Sequence, residues 1–206
     1  MFTLKRTLRE SVSVSALEAL SSLTDLMSIK RHLRASFKLI GSGEWRDVYD
    51  AGSMVIKVVK DDSDASLDHN ANEVRIARSA SARVPLIIDT SKQITGDYEW
   101  IAVERVTPLS SADLDRVIAQ QCPPLKNLRQ LRVVIEAGLS DGRFAPDREA
   151  FAEAERMHDK MCKSCRTYKE IFDTIYKNDL RAGEELHDEN WGVRANGDLV
   201  LLDAGE

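Results

Sequence analysis

Three short runs of β-forming residues follow one another between residues 37 and 59, and only tight turns separate them. Phe37–Ile40 leads into the glycine turn Gly41-Ser42-Gly43, the chain returns through Asp47–Asp50, and Met54–Val59 forms the third run. Turns of this length leave no room for the crossover helix that parallel strands require. The sequence therefore predicts an antiparallel meander of three strands.

The rest of the chain combines helical periodicity with further strand-forming stretches. Apolar residues at helical spacing predict one helix over 10–36, which packs either on its own domain or on a partner, and packing on its own domain is the favoured interpretation. Further predicted elements are a helix at 72–83, strands at 86–88 and 100–103, helices near 111–121, 125–139 and 147–177, and a hairpin at 191–202. Asn196-Gly197 gives this hairpin a strong turn signal. The pattern predicts an α+β fold.

Composition and charge narrow the classes of function. The chain has 206 residues, of which 43% are hydrophobic and 31% charged, and its net charge of -5 does not favour nucleic acid or an anionic membrane as a partner. No apolar run approaches the roughly 20 residues that span a bilayer, and the N-terminus lacks the apolar core of a signal peptide. We therefore expect a cytoplasmic protein.

The three cysteines, an odd number, predict no disulfide framework. His158, Cys162 and Cys165 share one face of a predicted helix, and a zinc site would need Cys122 or His187 as a fourth ligand. Reduced cysteines on a partly buried helix are the favoured interpretation, although the sequence leaves metal binding open.

Two features of the first hundred residues suggest contact with phosphate. Gly41 and Gly43 allow the backbone of the turn to approach a ligand closely, and turn amides bind anions. Lys57 interrupts an apolar, β-branched run, so it either points to solvent or meets an anion. Each signal alone is weak, since most Gly-x-Gly turns are only turns and most lysines are exposed.

The C-terminal hairpin suggests a metal site. Asn190 precedes its first strand and Asp203 follows its second, so the hairpin brings the two side chains to adjacent strand ends. An amide oxygen and a carboxylate are hard ligands that suit Mg²⁺ held jointly with phosphates. A polar loop capped by Asn and Asp is the alternative.

Taken in order, these motifs resemble those of the protein-kinase-like superfamily. The resemblance covers 37–106 and 180–206, whereas 107–179 agrees only in being helical. It implies a bilobal fold that holds ATP between an antiparallel-sheet N-lobe at 37–106, preceded by a helical extension at 1–36, and a reduced helical C-lobe at 107–206. The Leu-His-x-x-Asn-Trp-Gly form at 186–192 is also similar to small kinase-like proteins of bacteriophages, which would place the chain in a host cytoplasm.

The resemblance assigns roles residue by residue. Val55-Ile56-Lys57 is similar to the motif that carries the phosphate-binding lysine, and Glu73 stands at the position of its ion-pair partner. Leu202-Asp203-Ala204-Gly205 is similar to Asp-Phe-Gly with alanine in place of phenylalanine. The implied nucleotide-binding residues are Gly41, Gly43, Val48, Lys57, Glu73, Val103, Glu104 and Val106, and the implied Mg²⁺ ligands are Asn190 and Asp203.

Three departures from the family pattern bear on activity. Glu185 stands where the catalytic aspartate is usual, five residues before Asn190, and Asp188 is a possible substitute as the base. Arg46 stands where the third glycine of the glycine-rich loop is usual, and we expect its side chain to point to solvent. The sequence given ends at Glu206, directly after the Asp-x-Gly position, so 107–179, the N-terminal helix or a partner is expected to supply any substrate platform.

These observations leave three hypotheses for function. The first is a phosphotransferase in which Lys57 and Glu73 hold ATP and Glu185 orients or deprotonates a hydroxyl of a protein or small molecule. The second is an ATP-binding pseudokinase that regulates or inhibits a partner, and the third is an interaction protein on a relic fold. A protein partner or a second copy is expected to use 1–36 or 147–177.

Overall fold

The computed structural model describes residues 14–79, 83–91, 97–140 and 147–202. The chain divides into two compact units, of which unit 1 comprises 1–78 and 85–105 and unit 2 comprises 79–84 and 106–206. Helices and an antiparallel sheet occur together in unit 1, as the predicted α+β class requires.

A five-stranded antiparallel sheet forms the centre of unit 1. Its strands are β1 (Lys38–Ser42), β2 (Arg46–Asp50), β3 (Met54–Val59), β4 (Ile87–Thr90) and β5 (Trp100–Glu104), in the spatial order β1-β2-β3-β5-β4. The first three strands pair antiparallel with their neighbours along the chain. The predicted meander is therefore confirmed, and β3 has hydrogen-bonded strands on both sides.

Helices cover both faces of this sheet. Leu17 and Leu20 of α1 (Val14–Ser21) and Ile29 and Leu33 of α2 (Leu26–Ser36) are buried in one apolar cluster with residues of the sheet. Val74 of α3 (Asp64–Arg78) belongs to a second cluster with β5. The N-terminal helices thus pack on their own unit, as the favoured interpretation expected.

Two helix boundaries of unit 1 differ from the prediction for local reasons. The single helix predicted at 10–36 is interrupted before α2, where the side chain of Asp25 accepts a hydrogen bond from the Ser28 amide and caps the new helix. Helix α3 begins well before the predicted residue 72, because Ser63 Oγ accepts a hydrogen bond from the Ser66 amide. Both starts depend on capping side chains rather than on apolar spacing.

Unit 2 consists mainly of helices with one small sheet. Its elements are β6 (Thr107–Pro108), α4 (Ser111–Gln121), α5 (Leu128–Leu139), α6 (Arg148–Ser164), α7 (Arg166–Lys177), α8 (Ala182–Glu185), a 3₁₀ turn (Asp188–Asn190), β7 (Trp191–Val193) and β8 (Leu199–Leu201). Strands β7 and β8 pair antiparallel, and Gly197 in their turn has a φ of 87°. The predicted Asn-Gly hairpin is confirmed, and the additional strand β6 pairs with β7.

The long helix predicted at 147–177 is two helices. Cys165 separates α6 from α7 in an extended conformation, with φ at -124° and ψ at 105°. Its thiol accepts a hydrogen bond from the Tyr168 amide at 3.3 Å and caps the second helix. Apolar spacing carries no signal for a cysteine cap. Periodicity alone therefore predicted one continuous helix.

Within the described ranges, no helix is both long enough and apolar enough to cross a membrane.

Candidate functional site

Lys57 lies in the middle of β3 and faces α3. Its neighbours Ile56 and Val58 point into the apolar cluster that α1 and α2 cover. Successive strand residues alternate between faces, so Lys57 points to the opposite side. The residue is only 8% exposed. The interpretation of Lys57 as an exposed strand lysine is therefore wrong.

Glu73 of α3 receives the Lys57 ammonium group. The Lys57 Nζ atom donates to Glu73 Oε1 at 2.9 Å and to Glu73 Oε2 at 2.8 Å. Glu73 is 1% exposed, so the pair is shielded from solvent. The ion pair that the kinase resemblance implies is present in the structure.

Arg46 of β2 is a second cation on the same carboxylate. Its guanidinium lies 2.8 Å from Glu73 Oε2 and donates to Asn70 Oδ1 at 3.4 Å. Arg46 is 6% exposed, so the expectation that solvent surrounds it is wrong. Because isolated buried charges are costly, a buried arginine needs an anionic partner, and α3 supplies one. The site therefore contains two cations and one carboxylate, which we call the Lys57–Glu73–Arg46 cluster.

A signal in the sequence could have placed Arg46 correctly. Val48 pairs with Lys57 across β2 and β3, so these two side chains share a face of the sheet. Arg46 stands two residues before Val48 in the same strand and therefore shares that face. Treating Arg46 only as a replacement for a loop glycine concealed this alternation.

The glycine turn lies in line with this cluster. In the strand register Gly41 pairs with Val48, and Val48 pairs with Lys57, so the three residues form a row across β1, β2 and β3. A Cβ atom on Gly41 would lie 3.6 Å from Val48 Cβ, and one on Gly43 would lie 3.9 Å from the Arg46 carbonyl oxygen. These are ordinary contact distances, and neither glycine has a positive φ. Packing within unit 1 does not require glycine at either position.

Of the implied nucleotide-binding residues, Val103 and Glu104 lie at the end of β5. Val103 is buried in the apolar cluster with Val74. Glu104 is paired twice with Leu86, because its amide donates to the Leu86 carbonyl at 2.8 Å and its carboxylate accepts from the Leu86 amide at 3.2 Å. Both the amide and the side chain of Glu104 are thus engaged by Leu86. Val106 belongs to unit 2.

Unit 2 brings Glu185 and Asn190 together. The Asn190 side-chain amide donates to the Glu185 carbonyl oxygen at 3.1 Å, which turns the amide oxygen away from that carbonyl. Asn190 is 4% exposed and Glu185 3% exposed, whereas Asp188 is exposed. The predicted metal ligand Asp203 lies outside the described residues.

The cysteine and histidine residues of the possible zinc site lie in different surroundings. Cys162 Sγ is 3.6 Å from His158 Nε2, whereas the Cys165 thiol donates to the Gln121 carbonyl. Burial raises the pKa of the Cys122 thiol, which disfavours the thiolate that binds metals. Across the described parts of the chain, no group of three or more acidic, histidine or cysteine side chains is arranged to hold a metal ion.

No protein-family model matches this chain, and no curated protein matches it significantly. Its function is therefore inferred from the geometry of its own residues.

Proposed function

We propose that the chain binds ATP through the Lys57–Glu73–Arg46 cluster of unit 1 and transfers the γ-phosphate to a hydroxyl of a protein or small molecule. The observation that carries the proposal is the buried lysine held by a helix carboxylate. In the kinase-like arrangement that the sequence resembles, such a lysine contacts the α- and β-phosphates.

Stability alone gives no reason for two cations on one buried carboxylate. Taking ions out of water costs several kcal/mol each, and apolar residues of similar size are often as stabilising as a buried ion pair. Lys57 is surrounded along its strand by apolar residues, so replacement of the whole cluster by apolar side chains would suit the sheet at least as well. A charged cluster kept there at a cost in stability is expected to serve a ligand, and an anion is the ligand that its cations fit.

The glycine turn supports a ligand that reaches from β1 to β3. Gly41 and Lys57 are two strands apart in one row, which places their backbones about 10 Å from each other. Since packing does not require glycine at positions 41 and 43, close approach of a ligand to the backbone gives these residues a purpose. A polyphosphate that extends along this row would contact both features.

Asn190 fits the role of an Mg²⁺ ligand in one respect. Its amide nitrogen donates to the Glu185 carbonyl, which fixes the orientation of the side chain, and its amide oxygen is a hard ligand of the kind that Mg²⁺ binds. Mg²⁺ is typically bound by one or two carboxylates together with phosphates, and Asp203 is the carboxylate that the sequence assigns. Bound Mg²⁺ would neutralise charge that develops on the transferred phosphoryl group.

The burial of Glu185 favours a second candidate, an ATP-binding pseudokinase that regulates a partner. A general base needs to lie within hydrogen-bond reach of the proton that it removes. Glu185 is 3% exposed, whereas the exposed Asp188 is accessible to an acceptor. Transfer therefore depends either on Asp188 or on a rearrangement that exposes Glu185.

Thermal unfolding with and without ATP and Mg²⁺ tests nucleotide binding. A ligand that binds only the folded state adds about 2.7 kcal/mol of stability at a hundredfold excess over Kd. We expect a clear rise in Tm for the natural chain, a much smaller rise for Lys57→Met, and an unchanged rise for the matched control Lys38→Met, which alters an exposed lysine. No rise at millimolar ATP in the natural chain would refute the proposal.

Radiolabelled ATP separates the two candidates. Label transferred to a protein or small-molecule acceptor identifies a phosphotransferase, and its loss in Asp188→Asn but not in Glu185→Gln would assign the base to Asp188. Nucleotide binding without transfer to any acceptor would favour the pseudokinase.

A further inference from the structure

Trp45 and Arg46 are consecutive residues, and both contact α3. The Trp45 ring stacks on His69, with ring centroids 5.4 Å apart and planes 21° from parallel. Arg46 reaches Glu73, which lies one helical turn beyond His69 on the same face. Two residues just beyond the glycine turn thus contact α3 at two successive turns of the helix.

The polar contacts of Arg46 extend this connection to the segment that precedes β5. Arg46 contacts Asn70 Oδ1, and the Asn70 side-chain amide donates to the Tyr98 carbonyl at 2.6 Å. Glu73 Oε2 accepts from both Arg46 and Lys57, each at 2.8 Å. Arg46 thus contacts both the carboxylate that holds Lys57 and the Asn70 side chain.

The shared oxygen atom couples the two cations. A carboxylate bound only by Lys57 can move with that flexible side chain. A carboxylate that is also bound by a planar guanidinium is held in one position. Fixing Glu73 fixes the direction in which the Lys57 ammonium group points. A small displacement of such a group is enough to weaken a charge-directed contact strongly.

We propose that Arg46 is a positioning residue that acts on Lys57 through Glu73. Together with Trp45 it also fixes the glycine turn against α3, and we call this connection the latch. The proposal rests on the proposed function in one respect, since the ligand that Lys57 awaits is the phosphate group of ATP. Arg46 shares the Glu73 Oε2 atom with Lys57 and is expected to act without touching the nucleotide. The Lys57–Glu73 pair is consequently already in place before ATP binds.

A double-mutant cycle in ATP·Mg²⁺ affinity tests the route through Glu73. Calorimetric Kd values are compared for the natural chain, Arg46→Met, Glu73→Gln and the double variant. We expect Arg46→Met to weaken binding about tenfold in the natural background and by less than about twofold in the Glu73→Gln background, as for coupled neighbours. The matched control Arg34→Met changes an exposed arginine of α2 and should leave Kd unchanged.

Two results would overturn the positioning role. An equal loss of affinity from Arg46→Met in both backgrounds would show that Arg46 acts by direct contact with the nucleotide or through general stability. An unchanged Kd in Arg46→Met would show that Glu73 needs no second cation. If Arg46→Met does not fold, Arg46→Lys replaces it, and a loss of about threefold is expected because an ammonium group lacks the planar fork.

Acrylamide quenching of tryptophan fluorescence tests the latch without nucleotide. Trp100 and Trp191 are fully buried, whereas Trp45 is partly exposed and should account for most of the quenching. We expect Arg46→Met to increase quenching by loosening Trp45 from His69, and unchanged quenching would refute the latch. If the natural chain binds no ATP, the proposed function fails and this measurement alone decides the latch.

Discussion

Replacement of Glu73 by alanine provides the sharpest test of how unit 1 is held together. Glu73 accepts short contacts from two buried cations, so its removal takes away the carboxylate that both share. Loss of one partner from a buried ion pair typically costs about 3–5 kcal/mol. We expect Glu73→Ala to lower the free energy of unfolding by an amount in this range.

Removal of one cation should cost much less. In Lys57→Met the carboxylate retains Arg46 at 2.8 Å, and the apolar methionine suits the apolar strand. We expect a loss of about 1–2 kcal/mol, since hydrogen bonds to a charged group are lost while a charge is no longer buried. The two single variants therefore differ in their cost in stability. Removal of Glu73 takes the carboxylate from two cations, whereas removal of Lys57 leaves the carboxylate paired with Arg46.

The sign of the Lys57 effect should reverse when Glu73 is absent. In the Glu73→Ala background, Lys57→Met removes a buried charge that has lost its carboxylate, so the double variant should be about 1–3 kcal/mol more stable than Glu73→Ala alone. Urea unfolding at pH 7, followed by circular dichroism, measures all four free energies. The control Lys38→Met should have the same small effect in both backgrounds, because Lys38 is exposed. An equal cost of Lys57→Met with and without Glu73 would refute the coupling.

Two further predictions concern unit 2. Gly138 lies inside α5. Alanine in place of glycine normally stabilises a helix by about 1 kcal/mol. A Cβ at position 138 would lie 2.3 Å from the His158 ring, so Gly138→Ala should instead lower Tm. Gly183→Ala is the control, since its Cβ would meet only the far end of the flexible Arg132 side chain at 3.2 Å. An increase in Tm for Gly138→Ala would show that the His158 ring moves aside freely. Burial opposes ionisation of Glu170, yet hydrogen bonds from Arg166 and Arg83 hold the pKa of this carboxyl below its ordinary value. A lowered pKa adds stability that is present above the pKa of the unfolded chain and is lost in acid, so Glu170→Gln should flatten the fall in Tm between about pH 5 and pH 3, and an unchanged profile would contradict this assignment.

The strands of the fold were predictable because their signals are local. Alternating apolar residues, short turns and the Asn-Gly dipeptide specify the meander and the C-terminal hairpin within a few residues of where they occur. The helix boundaries were harder to predict from the sequence, because Asp25 and Cys165 cap the helices that follow them within stretches whose apolar periodicity continues. Such caps compete with a periodic pattern that continues through them.

The site residues that belong to the ordered motifs could be predicted from the sequence. The burial of other site residues depends on tertiary packing and was not predicted. The order of the motifs led to the Lys57–Glu73 pair, which no single residue would have indicated. Arg46 was assigned to solvent because its position was compared with a loop glycine, although strand alternation with Val48 places it on the face of Lys57. The burial of Glu185 depends on how α8 packs, which no local pattern encodes.

The three charges of the cluster also explain when the cost of desolvation arises. Lys57, Arg46 and Glu73 are buried by the fold of unit 1 itself, so folding bears the loss of their hydration. A phosphate that arrives would meet cations that need little reorganisation, and preorganised charge stabilises an anion more strongly than charge that first sheds water. The same arrangement makes unit 1 less stable than an apolar sheet would be. Variants that replace the whole cluster by apolar residues should therefore fold more stably and lose the ATP binding that we propose, and a cluster-free chain that binds ATP as tightly as the natural chain would refute the proposed role of the cluster.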